Sequence, residues 1–248
     1  MKSILITVSY DGTDFNGWQS QKKEDIRTVQ ETLETAFSGL FGVYTGVLGA
    51  SRTDTGVHAM GQRAVIKTNS SIPVSHIPYA VNSFLPEDVR VIDALEVPAS
   101  FHPRYDAVKK TYEYKILNSM YKNPVLRNYT EFVYEKLDII EMRKALDFLL
   151  GEHDFSAFRA SGSGVKGSVR TIYEAKIEKD GDIISLRITG NGFLYNMVRI
   201  IAGTLIDVGK GKKDPFSMKD ILESGDRTLA GKTAAPQGLT LLDISYNI

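Results

Sequence analysis

The sequence predicts an α+β protein built from two α/β halves, and three observations carry that expectation. Segments that alternate apolar and polar residues trade places with segments of helical period. In the first half the order of those segments is β-α-β-β-α-β, which suggests a split βαβ sheet of ferredoxin-like type with helices on one face. The chain is 248 residues long, between one large domain and two small ones.

The elements follow in order. Ser3–Tyr10 is β-rich and ends on the turn signal Asp11-Gly12. Thr28 and Glu31 have capping-box spacing, and Val29, Leu33, Phe37 and Leu40 recur at helical intervals, so a helix is expected from Thr28 to Phe41. Strands are expected at Val43–Ala50 and Arg63–Thr68, flanking the polar stretch Ser51–Gln62; a short helix at His76–Phe84 and a strand at Val89–Val97 complete the set. Ala99–Arg104 holds a proline and no periodicity, which places a boundary there and predicts lobes at 1–104 and 105–248.

The second half opens with Val108–Leu117, where Lys110, Tyr112, Tyr114 and Ile116 share a face. An amphipathic helix follows at Leu137–Gly151, with Ile140, Leu146, Leu149 and Leu150 among its apolar positions. Strands at Arg170–Lys179 and Ile183–Thr189, an apolar helix from Phe193 to Val208, a short helix at Pro215–Glu223 and a strand at Thr240–Tyr246 end the chain.

Composition narrows the function. Hydrophobic residues are 42% and charged residues 24%, an ordinary globular balance. Cysteine is absent, which excludes disulfides, thiolate metal sites and thiol nucleophiles. No apolar run approaches the ~18 residues of a membrane span, and the N-terminus reads as a strand without a cleavage site. The four histidines show no i, i+4 pair, so no zinc site is expected; Asp11 and Asp14 suit a turn better than a magnesium ion. Neither a P-loop nor a GxGxxG fingerprint occurs: Gly209-Lys-Gly-Lys-Lys213 lacks the spacing.

Three segments can carry chemistry. Ala50–Gln62 holds Arg52 two residues before Asp54 and Gly56 two after it; such a loop can expose a carboxylate as nucleophile or base, and it equally suits an Asx-type turn. Arg199 sits among Met197, Val198, Ile200 and Ile201, where a cation wants a partner carboxylate or must snorkel to the surface. Lys109–Lys115 alternates with Tyr112 and Tyr114 on one face, which fits either a base-stacking platform or packing within a sheet.

Taken together, these segments resemble the tRNA pseudouridine synthase A family over nearly the whole chain. The matching blocks, in order, are Tyr10–Gln19, Ser51-Arg-Thr-Asp-Thr-Gly-Val-His-Ala59, Lys110-Thr-Tyr-Glu-Tyr114, Phe155–Phe158, Val169–Ile172, Gly192–Arg199 and Ala235–Leu241. Ser51 departs from the glycine common in the family, a difference that touches loop stiffness and leaves Arg52-Thr53-Asp54 intact.

The resemblance implies two ferredoxin-like (RRM-like) lobes with antiparallel sheets flanking a central RNA-binding cleft. It implies isomerisation of uridine to pseudouridine at positions 38–40 of the tRNA anticodon arm, in the cytoplasm, by a homodimer that uses no cofactor and no metal. On this similarity Asp54 is the catalytic carboxylate, Tyr112 stacks on the target base, Arg199 is the basic partner of Asp54, and Arg52 helps displace the target nucleotide. A non-catalytic RNA-binding module and a metal-dependent nuclease are the rival readings; an intact Arg-Thr-Asp argues against the first, and the lack of clustered acids against the second.

A net charge of zero does not exclude RNA, because the charges are segregated. Phe155–Tyr173 carries Arg159, Lys166 and Arg170 and no acid, which makes these three the expected RNA contacts. Glu131–Asp154 holds seven acids against three cations, expected as a solvated outer face.

Overall fold

The computed structural model describes residues 1–21, 26–162 and 167–248. Lys166, one of the expected RNA contacts, lies outside the described residues. The chain divides into two compact units, Met1–Val108 with Leu241–Ile248, and Lys109–Thr240. Ten strands and five α-helices are found among the described residues, an α+β architecture.

The first unit holds β1 (Lys2–Tyr10), α1 (Val29–Phe41), β2 (Leu48–Gly49), β3 (His58–Thr68), α2 (Ile77–Asn82, entered through a 3-10 turn at Val74–His76) and β4 (Val89–Val97). Its strands lie in the order β4-β1-β3-β2, each pair antiparallel, which is the split βαβ arrangement. Strand β1 is buried on both faces, with Ile4, Ile6 and Val8 on one and Ser3, Leu5 and Thr7 on the other, and the helical period of α1 buries Val29, Leu33 and Phe37. Thr28 caps α1 by accepting the Glu31 amide at 3.4 Å, and Gly42 ends it in the left-handed region at φ 68°.

The strand expected over Val43–Ala50 shrinks to the two residues of β2. Side chains of α1 take the amides that a ladder would use: Ser38 Oγ accepts from Thr45 N at 3.0 Å, and Glu34 Oε1 accepts from Val47 N at 3.1 Å. Conversely, β3 starts at His58, so His58–Gln62 belong to a strand and not to the loop before it.

The second unit contains most of β5 (Ala107–Asn118), then β6 (Glu131–Val133), α3 (Ile139–Asp147), β7 (Gly151–Asp154), β8 (Val169–Asp180), β9 (Ile183–Gly190), α4 (Met197–Gly209) and α5 (Ser217–Ser224). Its strands run β5-β9-β8-β7 with antiparallel neighbours, and β6 adds to β5 in parallel. Neither β6 nor β7 announces itself in the sequence, since three or four residues are too few for periodicity. The last strand, β10 (Leu239–Tyr246), begins in the second unit and ends in the first.

Two further expectations are corrected here. Of the apolar positions expected over Leu137–Gly151, Leu146 and Leu149 are buried while Ile140 and Leu150 are exposed; α3 also buries Met142 and Ala145, and Asp138 caps its start by accepting from the Ile140 and Glu141 amides. Helix α4 begins at Met197 rather than Phe193, since Asn196 holds φ 60°, a backbone conformation no helix interior contains. Among the described residues no helix is long and apolar enough to cross a membrane.

Candidate active site

In the first unit, the segment between β2 and β3 carries Asp54 on a backbone fixed from several directions. Thr53 is buried, and its hydroxyl meets the Tyr10 phenol at 2.7 Å. Its carbonyl accepts from Trp18 N at 3.0 Å. The Asp54 carbonyl accepts from Val57 N at 3.1 Å, closing a turn that puts Gly56 at φ 77°. On the entry side, Gln62, fully buried on β3, donates through Nε2 to the Ser51 carbonyl at 2.8 Å. On the exit side, His58 Nδ1 accepts from Gly12 N at 2.9 Å, with Asp11 Oδ1 3.1 Å from the same nitrogen.

Close approach by glycine makes this clamp possible. Gly17 lies at φ 85°, and a Cβ there would stand 2.6 Å from the Thr53 carbonyl oxygen; at Gly12 it would stand 2.1 Å from that of Val57. The turn after β1 is thus pressed against the Asp54 loop on backbone alone. Asp54 itself is half-buried and Arg52 is exposed. The loop alternates Arg52 outward, Thr53 inward and Asp54 toward partial solvent, so the buried threonine anchors the two charged neighbours.

In the second unit, the residues singled out by sequence gather around Asn191–Asn196, the turn between β9 and α4. Tyr112 on β5 is 6% exposed and meets the Phe193 ring edge-to-face, with centroids 5.1 Å apart and planes at 80°. Asn191 Oδ1 accepts from Thr171 N at 3.0 Å, the residue after Arg170, and the Tyr195 carbonyl accepts from Ala160 N at 3.1 Å, the residue after Arg159. Asn196 Oδ1 accepts from Arg199 Nη1 at 2.8 Å. One turn therefore touches Tyr112, Arg199 and the chain beside Arg159 and Arg170.

Arg199 occupies the first turn of α4, where the helix dipole already favours negative charge. Its guanidinium is oriented by two acceptors, the Ala234 carbonyl at 2.8 Å from Nε and Asn196 on Nη1. The same Ala234 returns its own amide to the Arg199 carbonyl at 3.1 Å. A fixed cation at a helix N-terminus adds to the positive potential already there. Arg170 spends Nη1 on the Val169 carbonyl at 2.6 Å.

Further along β5, Tyr114 leads to a buried polar group that sequence reading assigned elsewhere. Glu131, expected on a solvated face, is 7% exposed and accepts from the Tyr114 phenol at 2.5 Å, from Ala235 N at 3.1 Å and from Lys232 Nζ at 3.1 Å. Tyr114 is fully buried, and burial, reinforced by the Glu131 carboxylate, pushes its phenol well above the ordinary tyrosine range. Among the described residues no three His, Asp or Glu side chains gather as a metal ion would need.

Sequence reading missed the supporting residues. Tyr10, Gly12 and Gly17 lie far from Asp54 in the chain, and only their place in a matching block hinted at a role. Gln62 and His58, both in the polar stretch Ser51–Gln62, make contacts that support the backbone around Asp54. Asn196 lies in the matching block Gly192–Arg199, but nothing in the sequence marked it as the residue that orients Arg199.

Comparison with known proteins adds the family. Residues 6–106 and 145–247 match a profile described as tRNA pseudouridine synthase. A tRNA pseudouridine synthase A of Thermoanaerobacter sp. (strain X514) is 52% identical over 246 residues, 99% of this chain and 100% of that protein. The tRNA pseudouridine synthase A 2 of Clostridium tetani is 46% identical over 99% of both chains, and the tRNA pseudouridine synthase A of Acetivibrio thermocellus is 47% identical over 99% of this chain and 100% of its own. Among solved structures, a Cbf5-Nop10-Gar1 complex aligns with 96% of this chain and 57% of its own at a TM-score of 0.39 and 10% identity, too loose a likeness to build on. Since a profile spanning both units and full-length relatives near 50% identity agree, the chain belongs to the tRNA pseudouridine synthase family.

Proposed function

We propose that this chain isomerises uridine to pseudouridine at positions 38–40 of the tRNA anticodon arm, with Asp54 as the catalytic carboxylate. The N1–C1′ bond of uridine breaks, the freed uracil turns, a C5–C1′ bond forms, and the C5 proton leaves to solvent while N1 gains one. Nothing is oxidised and no group enters from outside, so the reaction needs no cofactor. Chemistry on a glycosidic bond within a structured RNA requires the nucleotide to leave its stack, at a cost of a few kcal/mol. In this reading Arg52, exposed beside Asp54, displaces the target nucleotide, and Tyr112 forms the wall on which the extruded base stacks. Arg199 pairs with Asp54 and keeps it ionised. Arg159, Lys166 and Arg170 bind RNA backbone, and the enzyme acts in the cytoplasm as a homodimer.

The observation that carries the proposal is the mounting of Asp54. Its loop is held by a buried phenol–threonine hydrogen bond, a buried glutamine and two close glycine approaches. An ordinary Asx turn needs none of these, whereas a reacting carboxylate must be held near its productive geometry.

The decisive experiment is release of tritium from tRNA labelled at C5 of uridine, with the modified positions mapped afterwards. Wild type releases label without added metal or cofactor, and Asp54→Asn lowers the rate by on the order of a thousand-fold or more. No release by wild type, or equal release by the variant, would falsify the proposal; modification mapped outside 38–40 would correct the target position.

A further inference from the structure

The backbone from Lys232 to Ala235 runs along α4 as a strap, and it is gripped from both sides. On the helix side the fit leaves no room for side chains. A Cβ on Gly203 would stand 1.9 Å from the Lys232 carbonyl oxygen, and one on Gly231 would stand 2.6 Å from Thr204 N. Gly231 N also donates to Thr204 Oγ1 at 2.8 Å. On the other side, the Glu131 carboxylate holds both ends of the strap, the Lys232 ammonium through Oε1 and the Ala235 amide through Oε2.

Between those two anchor points lies Ala234, whose carbonyl fixes Nε of Arg199. A buried carboxylate is costly, and a purely packing role is served as well by an apolar side chain of similar volume. Every neighbour that Glu131 is seen to bind leads to the strap or to Tyr114, which shares the face of β5 that carries Tyr112.

We infer that Glu131 is a positioning residue for the isomerisation, setting the orientation of Arg199 through the Lys232–Ala235 strap. The inference rests on the role proposed above for Arg199. Arg199 supplies a directional cation only while Ala234 points its carbonyl at Nε, and Ala234 keeps that aim only while the strap is pinned at 232 and 235. Glu131 touches neither substrate nor Asp54; its effect on rate passes through Arg199.

The test is a double-mutant cycle on the full chain, reading kcat and KM by tritium release from labelled tRNA. Glu131→Ala lowers kcat about ten- to hundred-fold, the loss expected when a catalytic group is displaced by about 1 Å, and leaves KM nearly unchanged. Glu131→Gln keeps an acceptor for Tyr114 and Ala235 and restores most of that loss. In an Arg199→Lys background, Glu131→Ala has no further effect, since residues acting through one another are not additive.

If Glu131 is merely structural, the two losses multiply and Gln rescues nothing; either result overturns the inference. If Arg199→Lys alone leaves kcat intact, the role of Arg199 falls first and this inference with it. Should Glu131→Ala fail to fold, Lys232→Ala repeats the cycle from the exposed end of the grip. That variant is expected to lose a few-fold in kcat in the wild-type background and nothing in the Arg199→Lys background, by the same non-additivity.

Discussion

Asp54 and Arg199 are mounted by opposite means. Asp54 stands on irregular backbone, held by neutral hydrogen bonds and by glycines that let another turn lie directly against it. Arg199 stands on a regular apolar helix and takes its orientation from a carbonyl on a strap tied to a buried carboxylate. The difference teaches where each unit is vulnerable. The first depends on backbone conformations that only glycine adopts cheaply, and the second on a charge kept satisfied away from water.

The largest effects should come from the close approaches. Alanine is favoured over glycine inside a helix by about 1 kcal/mol. At Gly203 that gain is overwhelmed, because the new methyl would stand 1.9 Å from the Lys232 carbonyl oxygen. Gly203→Ala and Gly17→Ala are each expected to cost about 3 kcal/mol in urea unfolding, and a stabilising Gly203→Ala would break the account of the strap. Gly17→Ala should also depress tritium release, because its φ of 85° and the Thr53 contact tie it to the Asp54 loop.

Removing single hydroxyls sharpens the contrast. Tyr114→Phe takes a donor from a buried carboxylate and should cost about 2 kcal/mol, whereas Tyr10→Phe removes a neutral bond to Thr53 and should cost about 1 kcal/mol. Equal losses would mean that the two mounts do not differ in kind.

The smallest effect is a shared one. Burial raises the Tyr114 phenol above its ordinary 10.0, with Glu131 adding to the shift, and burial likewise raises Tyr246 in the first unit. Folding therefore holds these protons more tightly than the unfolded chain does. Their stabilising contribution is complete below about pH 10 and is lost as pH climbs beyond it, where the unfolded tyrosines ionise first. Urea midpoints should fall above that pH, and Tyr114→Phe should flatten the fall in part, leaving the share of Tyr246. A slope untouched by Tyr114→Phe would contradict the burial argument.

How far the sequence reached depended on the range of the interaction. The capping threonine of α1, the β-rich run of β1 and the apolar run of α4 are local, and each element forms where the sequence put it, with α4 starting four residues later than expected. Val43–Ala50 failed as a strand because Ser38 and Glu34, both on the preceding helix, captured its amides. No propensity scale carries that competition. Glu131 looked solvated because its acidic neighbours are, yet a three-residue strand beside β5 draws it inside.

The sequence by itself determined the α+β class, the helices and longer strands, the blocks that matched a family, and Asp54, Tyr112 and Arg199 as residues to watch. Those are properties of near neighbours in the chain or of residue identity. Only the tertiary structure decided what holds them: Tyr10 and Gly17 against Thr53, Gln62 beneath Ser51, and Ala234 and Glu131 behind Arg199. It also carried the last strand back to the first unit. Such contacts join residues tens to a hundred positions apart, and their partners are chosen by packing and by the need to satisfy buried polar groups, which a linear pattern does not record.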